Sequence, residues 1–393
     1  MTPKFTVIKG GAGSVLPYRF IEGEVTDTRL MGVVGMHLHW DLPGSVDSDI
    51  HQFFYFDVEE LGLDSLTVYR GNDLIAVEIA CKGAFGGLGG KMVSITEKEA
   101  RWLAQHFVSE TRKKNEPLPD TLNEIDYILD TPAELTESEI FSLGKKMCTA
   151  RNTDYAVVHY FLMRLFGLDP EGAKLLATPS YDISECADIA VPGGATFLMN
   201  TISSETAAGG SSVYLCESLV EADDGHWMVF TELHVKDAAV EKAALKTKFR
   251  ITPAEASLKL RRSEYVSVYE IAGEQEEFDK DFSTFSVGTT ATAHECGTMY
   301  MEFKQDNLHV EQKVFNLGDD IEALYFVSEF GQLIIGAYSY ESILAAETRV
   351  AASKLRTHIY PTNKYKFLDA VLFEFAQSGF DDFNEFVNSI QIE

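Results

Sequence analysis

Residues 33–40 alternate in character. Val34, Met36, Leu38 and Trp40 fall on one side of an extended chain, and Val33, Gly35, His37 and His39 fall on the other. A period of two is a strand signal. A strand with one apolar face needs partners along its edges and a second layer to cover that face. The turn-rich run Asp41 to Asp49 then leads back into an apolar stretch from Ile50 to Asp57, which predicts a hairpin. Two further runs, Leu66 to Tyr69 and Leu74 to Cys81, separated by Arg70-Gly71-Asn72-Asp73, extend this to a predicted meander of four strands.

The covering layer follows directly. Thr96 and Glu99 have the spacing of a capping box, in which each side chain satisfies the other's free backbone N–H. Behind them Ala100, Leu103, Ala104, Phe107 and Val108 share one side of a helix, which is expected to pack on the sheet. Basic residues Arg112, Lys113 and Lys114 suit the negative end of the helix dipole, and Pro117 and Pro119 stop it. A boundary is therefore expected near residue 116.

At 393 residues the chain exceeds what one core usually organises, about 250–300 residues, so more than one lobe is expected. From residue 117 to about 180 the pattern is helical, with capping boxes at Thr121/Glu124 and Thr136/Glu139. Tyr155, Val158, Leu162, Leu165 and Phe166 form a further stripe, and Asp169-Pro170 reads as a cap and first turn. Strands are then expected at Asp182 to Ala190 and Thr196 to Ser203, and a hairpin from Ser212 to Val235 around the Asp224-Gly225 turn. Helices at Ala238 to Thr247 and Ala254 to Arg262 precede a strand at Tyr265 to Ile271. A second meander spans Met299 to Phe303, His309 to Leu317, Ala323 to Val327 and Leu333 to Tyr338; helices at Glu341 to Ser353 and Tyr365 to Asn388 close the chain. The predicted fold class is α+β, two β-meander-plus-helix lobes joined by a helical segment. The expected divisions are residues 1–116, 117–180 and 181–393.

Charge and cysteine usage narrow the setting. The formal charge of −28 would repel nucleic-acid phosphates and anionic membrane surfaces, so neither is an expected partner. Five cysteines without a CxxC pair argue against a disulfide framework and a zinc ribbon. No run approaches the ~20 apolar residues of a membrane span, and the N-terminal residues lack the apolar core of a secretory signal. The expectation is a cytoplasmic protein.

Four constellations could carry function. With a turn centred near Ser45, His39 lies opposite His51 and Asp41 opposite Asp49, with His37 on the same face; these five residues are candidate ligands for a divalent metal ion. A wet sheet face would also carry polar residues without any ligand. The glycine-rich run 83–90 is a candidate cofactor site through Gly86, Gly87, Gly89 and Gly90, since glycine lets backbone N–H groups approach a phosphate. It is neither a P-loop, because Met92 follows Lys91, nor a dinucleotide fingerprint, because Val93-Ser94-Ile95 separates it from the helix. His294-Glu295-Cys296, with His226 and His234 elsewhere, is a third grouping. The fourth is a cationic island from Lys242 to Arg262, set against acidic C-terminal helices, which suggests an anionic protein partner or self-association.

No diagnostic catalytic motif is present. The leading expectation is a non-enzymatic binding or assembly module with no cofactor; the alternative is a metal-dependent, hydrolase-like enzyme using the histidine and aspartate cluster.

Overall fold

The computed structural model describes residues 18–43, 48–88, 90–149, 153–205, 212–304, 312–315 and 321–390. The predicted hairpin forms from β2 (Val33–Asp41) and β3 (Asp49–Asp57), preceded by β1 (Arg19–Thr26) and followed by β4 (Gly62–Arg70). After β4 come helix α1 (Leu74–Phe85), a short β5 (Met92–Ser94) and α2 (Glu97–Lys114). The five strands make an antiparallel sheet in the order β4-β3-β2-β1-β5. Its even face buries Val34, Met36, Leu38 and Trp40 against Ala100, Leu103, Ala104, Phe107 and Val108 of α2. Phe107 stacks on Phe56 with ring centroids 4.4 Å apart. Each large side chain buried this way contributes about 1.5–3 kcal/mol. The capping box forms as expected, with Thr96 accepting from Glu99 N and the Glu99 carboxylate accepting from Thr96 N.

The helical segment contains α3 (Asp126–Leu129), α4 (Glu137–Lys146), α5 (Asp154–Phe166) and α6 (Pro170–Lys174). Its helices are divided between two cores. Ile128 of α3 and Leu143 of α4 join the first sheet. Val157, Val158, Phe161, Leu162 and Phe166 of α5 instead cover a second sheet, built from β6 (Thr196–Glu205), β7 (Ser212–Ala222), β8 (Gly225–Lys236) and β9 (Ala239–Ile251). A buried ion network fastens the two parts together. Arg164 of α5, 1% exposed, pairs with Glu59 of the β3–β4 turn at 2.8 Å and lies 3.4 Å from Asp169. Asp169 caps α6 and also holds Arg29, which follows β1.

The remaining elements are α7 (Pro253–Leu260), β10 (Glu264–Ile271), α8 (Gln275–Phe285), β11 (Thr290–His294), β12 (Gly297–Phe303), β13 (Gln312–Phe315), β14 (Ile321–Ser328), β15 (Gln332–Ala337), α9 (Tyr340–Ala352), β16 (Ile359–Phe367), α10 (Leu372–Gln377) and α11 (Phe383–Ile390). Six of these strands form a sheet ordered β11-β12-β14-β15-β10-β16. Helices α10 and α11 cover one face and α8 and α9 the other. Every residue of β15 is consequently buried. The chain is of the α+β class, and all named strand pairs are antiparallel.

Several local expectations are corrected. Leu74 to Cys81 is helix, not strand, because the Asp73 side chain accepts from Ile75 N and Ala76 N and starts a helical turn. Asp182 to Ala190 is not a strand; Asp182 caps a 3-10 turn at Ile183–Cys186. The run expected as a helix at Ala238 to Thr247 is β9, whose alanines and lysines occupy a sheet edge that β8 supplies with hydrogen bonds. Tyr365 lies in β16 rather than in a helix. Thr121 does not cap through its side chain, which donates to Leu66 O instead. Within the second meander, β13 leaves its neighbours and pairs with β6 of the other sheet. Phe5-Thr6-Val7-Ile8, which reads as a short strand in the sequence, lies outside the described residues.

Candidate functional site

The outward face of the first sheet carries the histidines, and the register is the one the sequence predicts. His39 pairs with His51, Asp41 with Asp49, and His37 with Phe53. A feature missed by the sequence reading adds two carboxylates. β1 was not anticipated at all, and it bulges at Ile21, so that Phe20 still pairs with Trp40 but Glu22 pairs with His39 and Glu24 with His37. The extra residue moves the even-numbered positions of β1 from the core face to the histidine face. A row of Glu22, His39, His51 and Tyr69 thus crosses four strands.

The imidazoles interact closely. His37 Nε2 and His51 Nδ1 are 3.0 Å apart, and His39 Nε2 lies 2.8 Å from Asp49 Oδ1. The His39 and His51 rings stack at 4.2 Å, and His37 stacks on Phe53 at 4.8 Å. His37 and His51 are 8% and 3% exposed. Burial, reinforced by the neighbouring imidazoles of His51 and His39, pushes His37 down to about 4. Burial and then His39 lower His51 in the same way. The hydrogen bond from His39 holds Asp49 below the usual carboxylate range, whereas burial raises Glu24. Between His37 and His51, one ring nitrogen donates and the other accepts, which requires at least one neutral ring. Asp41 is turned to Arg19 at 2.7 Å. Among the described residues no group of three or more His, Cys, Asp or Glu is disposed to hold a metal ion.

The glycine run is not an open loop. Residues up to Phe85 belong to α1, and Gly86–Leu88 is a 3-10 turn. A Cβ at Gly86 would lie 1.6 Å from Ala291 O of β11, one at Gly87 3.2 Å from Thr292 Oγ1, and one at Gly90 2.5 Å from Thr28 Cγ2. The close approach that these glycines permit is to the protein's own chain, at β11 and at Thr28. Gly89 lies outside the described residues.

The other two groupings are dispersed. Cys296 is buried in the core under α10, and His294 precedes it at the end of β11. His226 and His234 sit on β8, near Glu221 at 3.6 Å and Glu232 at 3.0 Å respectively. Much of the cationic island is neutralised within the chain. Lys246 meets Glu232 at 2.6 Å, Lys259 meets Glu217 at 2.8 Å, Arg250 pairs with Asp224, and Arg261 lies 3.4 Å from Asp369 before α10. Lys248 donates to Asp188 O and Ala190 O.

A different element stands out from the surface. Helix α1 lies against β3 and the end of β11, and its only buried residue is Phe85, which fits over Gly35 beside Phe53. Leu74, Ile75 and Ile79 are 76%, 71% and 63% exposed. A helix apolar on nearly every side is ordinarily interior. The signal available in the sequence was Asp73, a capping residue, ahead of an alanine-containing apolar run; the strand-like composition of Leu-Ile-Ala-Val hid it. No protein family, curated protein or solved structure matches the chain. No helix among the described residues is long and apolar enough to cross a membrane.

Proposed function

We propose that this protein is a non-enzymatic binding or assembly module whose docking element is α1. The observation that supports this reading is the exposure of Leu74, Ile75 and Ile79 on a helix held down by a single buried side chain. Covering them with a partner recovers roughly 1.5–3 kcal/mol for each side chain fully buried. The test is a variant carrying Ile75→Ser and Ile79→Ser, compared with wild type by light scattering over a range of concentration and by binding of a fluorescent apolar dye. Loss of association or of dye binding in the variant supports docking at α1. Equal dye binding, with no association in either protein, overturns it.

A second reading, a metal-dependent enzyme of hydrolase type using His37, His39 and His51 with Asp41 or Asp49 as ligands or base, draws on the register that sets His39 opposite His51 and Asp41 opposite Asp49. Elemental analysis of tag-free protein, together with melting in the presence of a chelator, tests it; absence of bound transition metal and an unchanged melting temperature would remove it.

A further inference from the structure

We infer that the cleft between α7 and the chain leading into α10 binds a small organic oxyanion, a carboxylate or phosphate group carried on a compact apolar body. None of the residues lining it belongs to α1, so it stands apart from the docking role proposed above. The cleft encloses about 370 Å³, within the roughly 300–1,000 Å³ of small-molecule sites. One wall is a face of α7, where Pro253, Ala256, Ser257 and Leu260 follow the spacing of a single helical stripe. This wall is apolar apart from the Ser257 hydroxyl. His226, near the start of β8, and Ala370, ahead of α10, line the cleft as well.

The charge of the lining sets the class of ligand. Arg261 and Arg262, which follow α7, place two guanidiniums there against the single carboxylate of Asp369. The chain as a whole carries −28, so a cationic concavity runs against its overall charge and marks a place where anions collect. A guanidinium presents paired N–H donors that match the two oxygens of a carboxylate or phosphate. Arg261 Nε lies 3.4 Å from Asp369 Oδ1, but these side chains are 46% and 67% exposed, and an ion pair so open to water holds weakly. An incoming oxyanion takes the place of Asp369. Arg262 is held differently, with its Cζ 5.0 Å from the ring centroid of Tyr338.

The wall at Asp369 and Ala370 is fixed before any ligand arrives. Glu264, at the start of β10, accepts from Val371 N at 2.5 Å and from Leu372 N at 2.9 Å, which pins the two residues after Ala370. A wall already in place lowers the ordering cost of binding. The stripe on α7 then decides between a bare ion and an organic one. Inorganic phosphate reaches the guanidiniums but leaves the apolar surface of Pro253 and Leu260 wet, whereas an apolar body on the ligand covers it.

The experiment is isothermal titration calorimetry of the full chain with phenyl phosphate, benzoate, inorganic phosphate and benzyl alcohol. Phenyl phosphate or benzoate binds at a single site per chain with a Kd of about 1 mM or tighter, and the tighter of the two identifies the head group. Inorganic phosphate, which lacks the body, and benzyl alcohol, which lacks the charge, each bind about tenfold more weakly or less. Arg261→Gln and Arg262→Gln each weaken the aryl anion by about tenfold. Asp369→Asn, which removes the competing carboxylate, tightens it severalfold. Arg261 and Asp369 are exposed enough for their variants to keep the fold, so the test does not hang on Arg262. The site is overturned if neither aryl anion binds, or if benzyl alcohol binds as tightly as they do. It is also overturned if Arg261→Gln binds as well as wild type, or if Asp369→Asn binds no more tightly.

Discussion

Replacing Glu264 with glutamine should flatten the dependence of stability on pH between 5 and 8. Glu264 opens β10 and is 0% exposed. Its Oε2 accepts from Val371 N at 2.5 Å and Leu372 N at 2.9 Å, which are backbone groups at the start of α10 where no local side chain caps the helix. Oε1 has no partner. Burial outweighs the two N–H donors and pushes the carboxyl up from 4.5 to about 7. Since the folded state holds this proton more tightly than the unfolded chain, the contribution is complete below pH 4.5 and is lost as pH rises through 7. A gap of about 2.5 units corresponds to roughly 3.4 kcal/mol in all, of which about 2.5 kcal/mol falls between pH 5 and pH 8. Glutamine stays neutral throughout. Its amide carries a buried N–H₂ in place of Oε1, but that cost is the same at both pH values and cancels in the difference. Guanidinium denaturation of both proteins at pH 5 and pH 8 supplies the four free energies required. The stability of Glu264→Gln minus that of wild type should rise by about 2.5 kcal/mol from pH 5 to pH 8. A change below about 0.5 kcal/mol, outside the usual extrapolation error, would refute the placement of a titrating carboxyl under α10.

Three other outcomes are expected. Asp169→Asn keeps an oxygen for Gly172 N but leaves the buried guanidiniums of Arg29 and Arg164 short of charge, so unfolding free energy should fall by about 3–5 kcal/mol; a loss under 1 kcal/mol would show that the network is dispensable. Gly86→Ala should cost on the order of 1–3 kcal/mol in chemical denaturation, because its methyl group would displace Ala291 O, whereas Gly83→Ala should gain up to about 1 kcal/mol. His37, lowered from 6.5 to about 4, contributes stability that is present above pH 6.5 and is lost as pH falls towards 4. His37→Phe should therefore melt with a shallower decline over that range than wild type, and an unchanged decline would place the acid-sensitive group elsewhere.

Elements whose cause lies in adjacent residues were legible in the sequence. The alternation of β2 set its faces and, with the return strand, the pairing of His39 with His51. The capping boxes at Thr96 and Thr136 formed, and Asp223-Asp224 makes the β7–β8 turn, with Gly225 at φ 120° opening β8. What misled was composition without context. The run Leu74 to Cys81 has the residues of a buried strand, but the Asp73 side chain caps its first turn and starts a helix. The alanine and lysine content of β9 suits a helix, until β8 presents an edge that completes its hydrogen bonds.

The candidate site shows the same division. The histidine row was readable because a pleat places alternate residues on one face. The carboxylates of Glu22 and Glu24 joined it only through a one-residue bulge that no local pattern announces. By itself the sequence determined the α+β class, the faces of its amphipathic strands and helices, and the positions of its best caps, since each is set by spacing along the chain. Tertiary structure decided that Gly86 meets β11, that Glu264 lies beneath α10 and that α1 keeps its isoleucines in solvent. These depend on which surfaces come together across tens to hundreds of residues, where the deciding quantities are the space and charge offered by a distant partner.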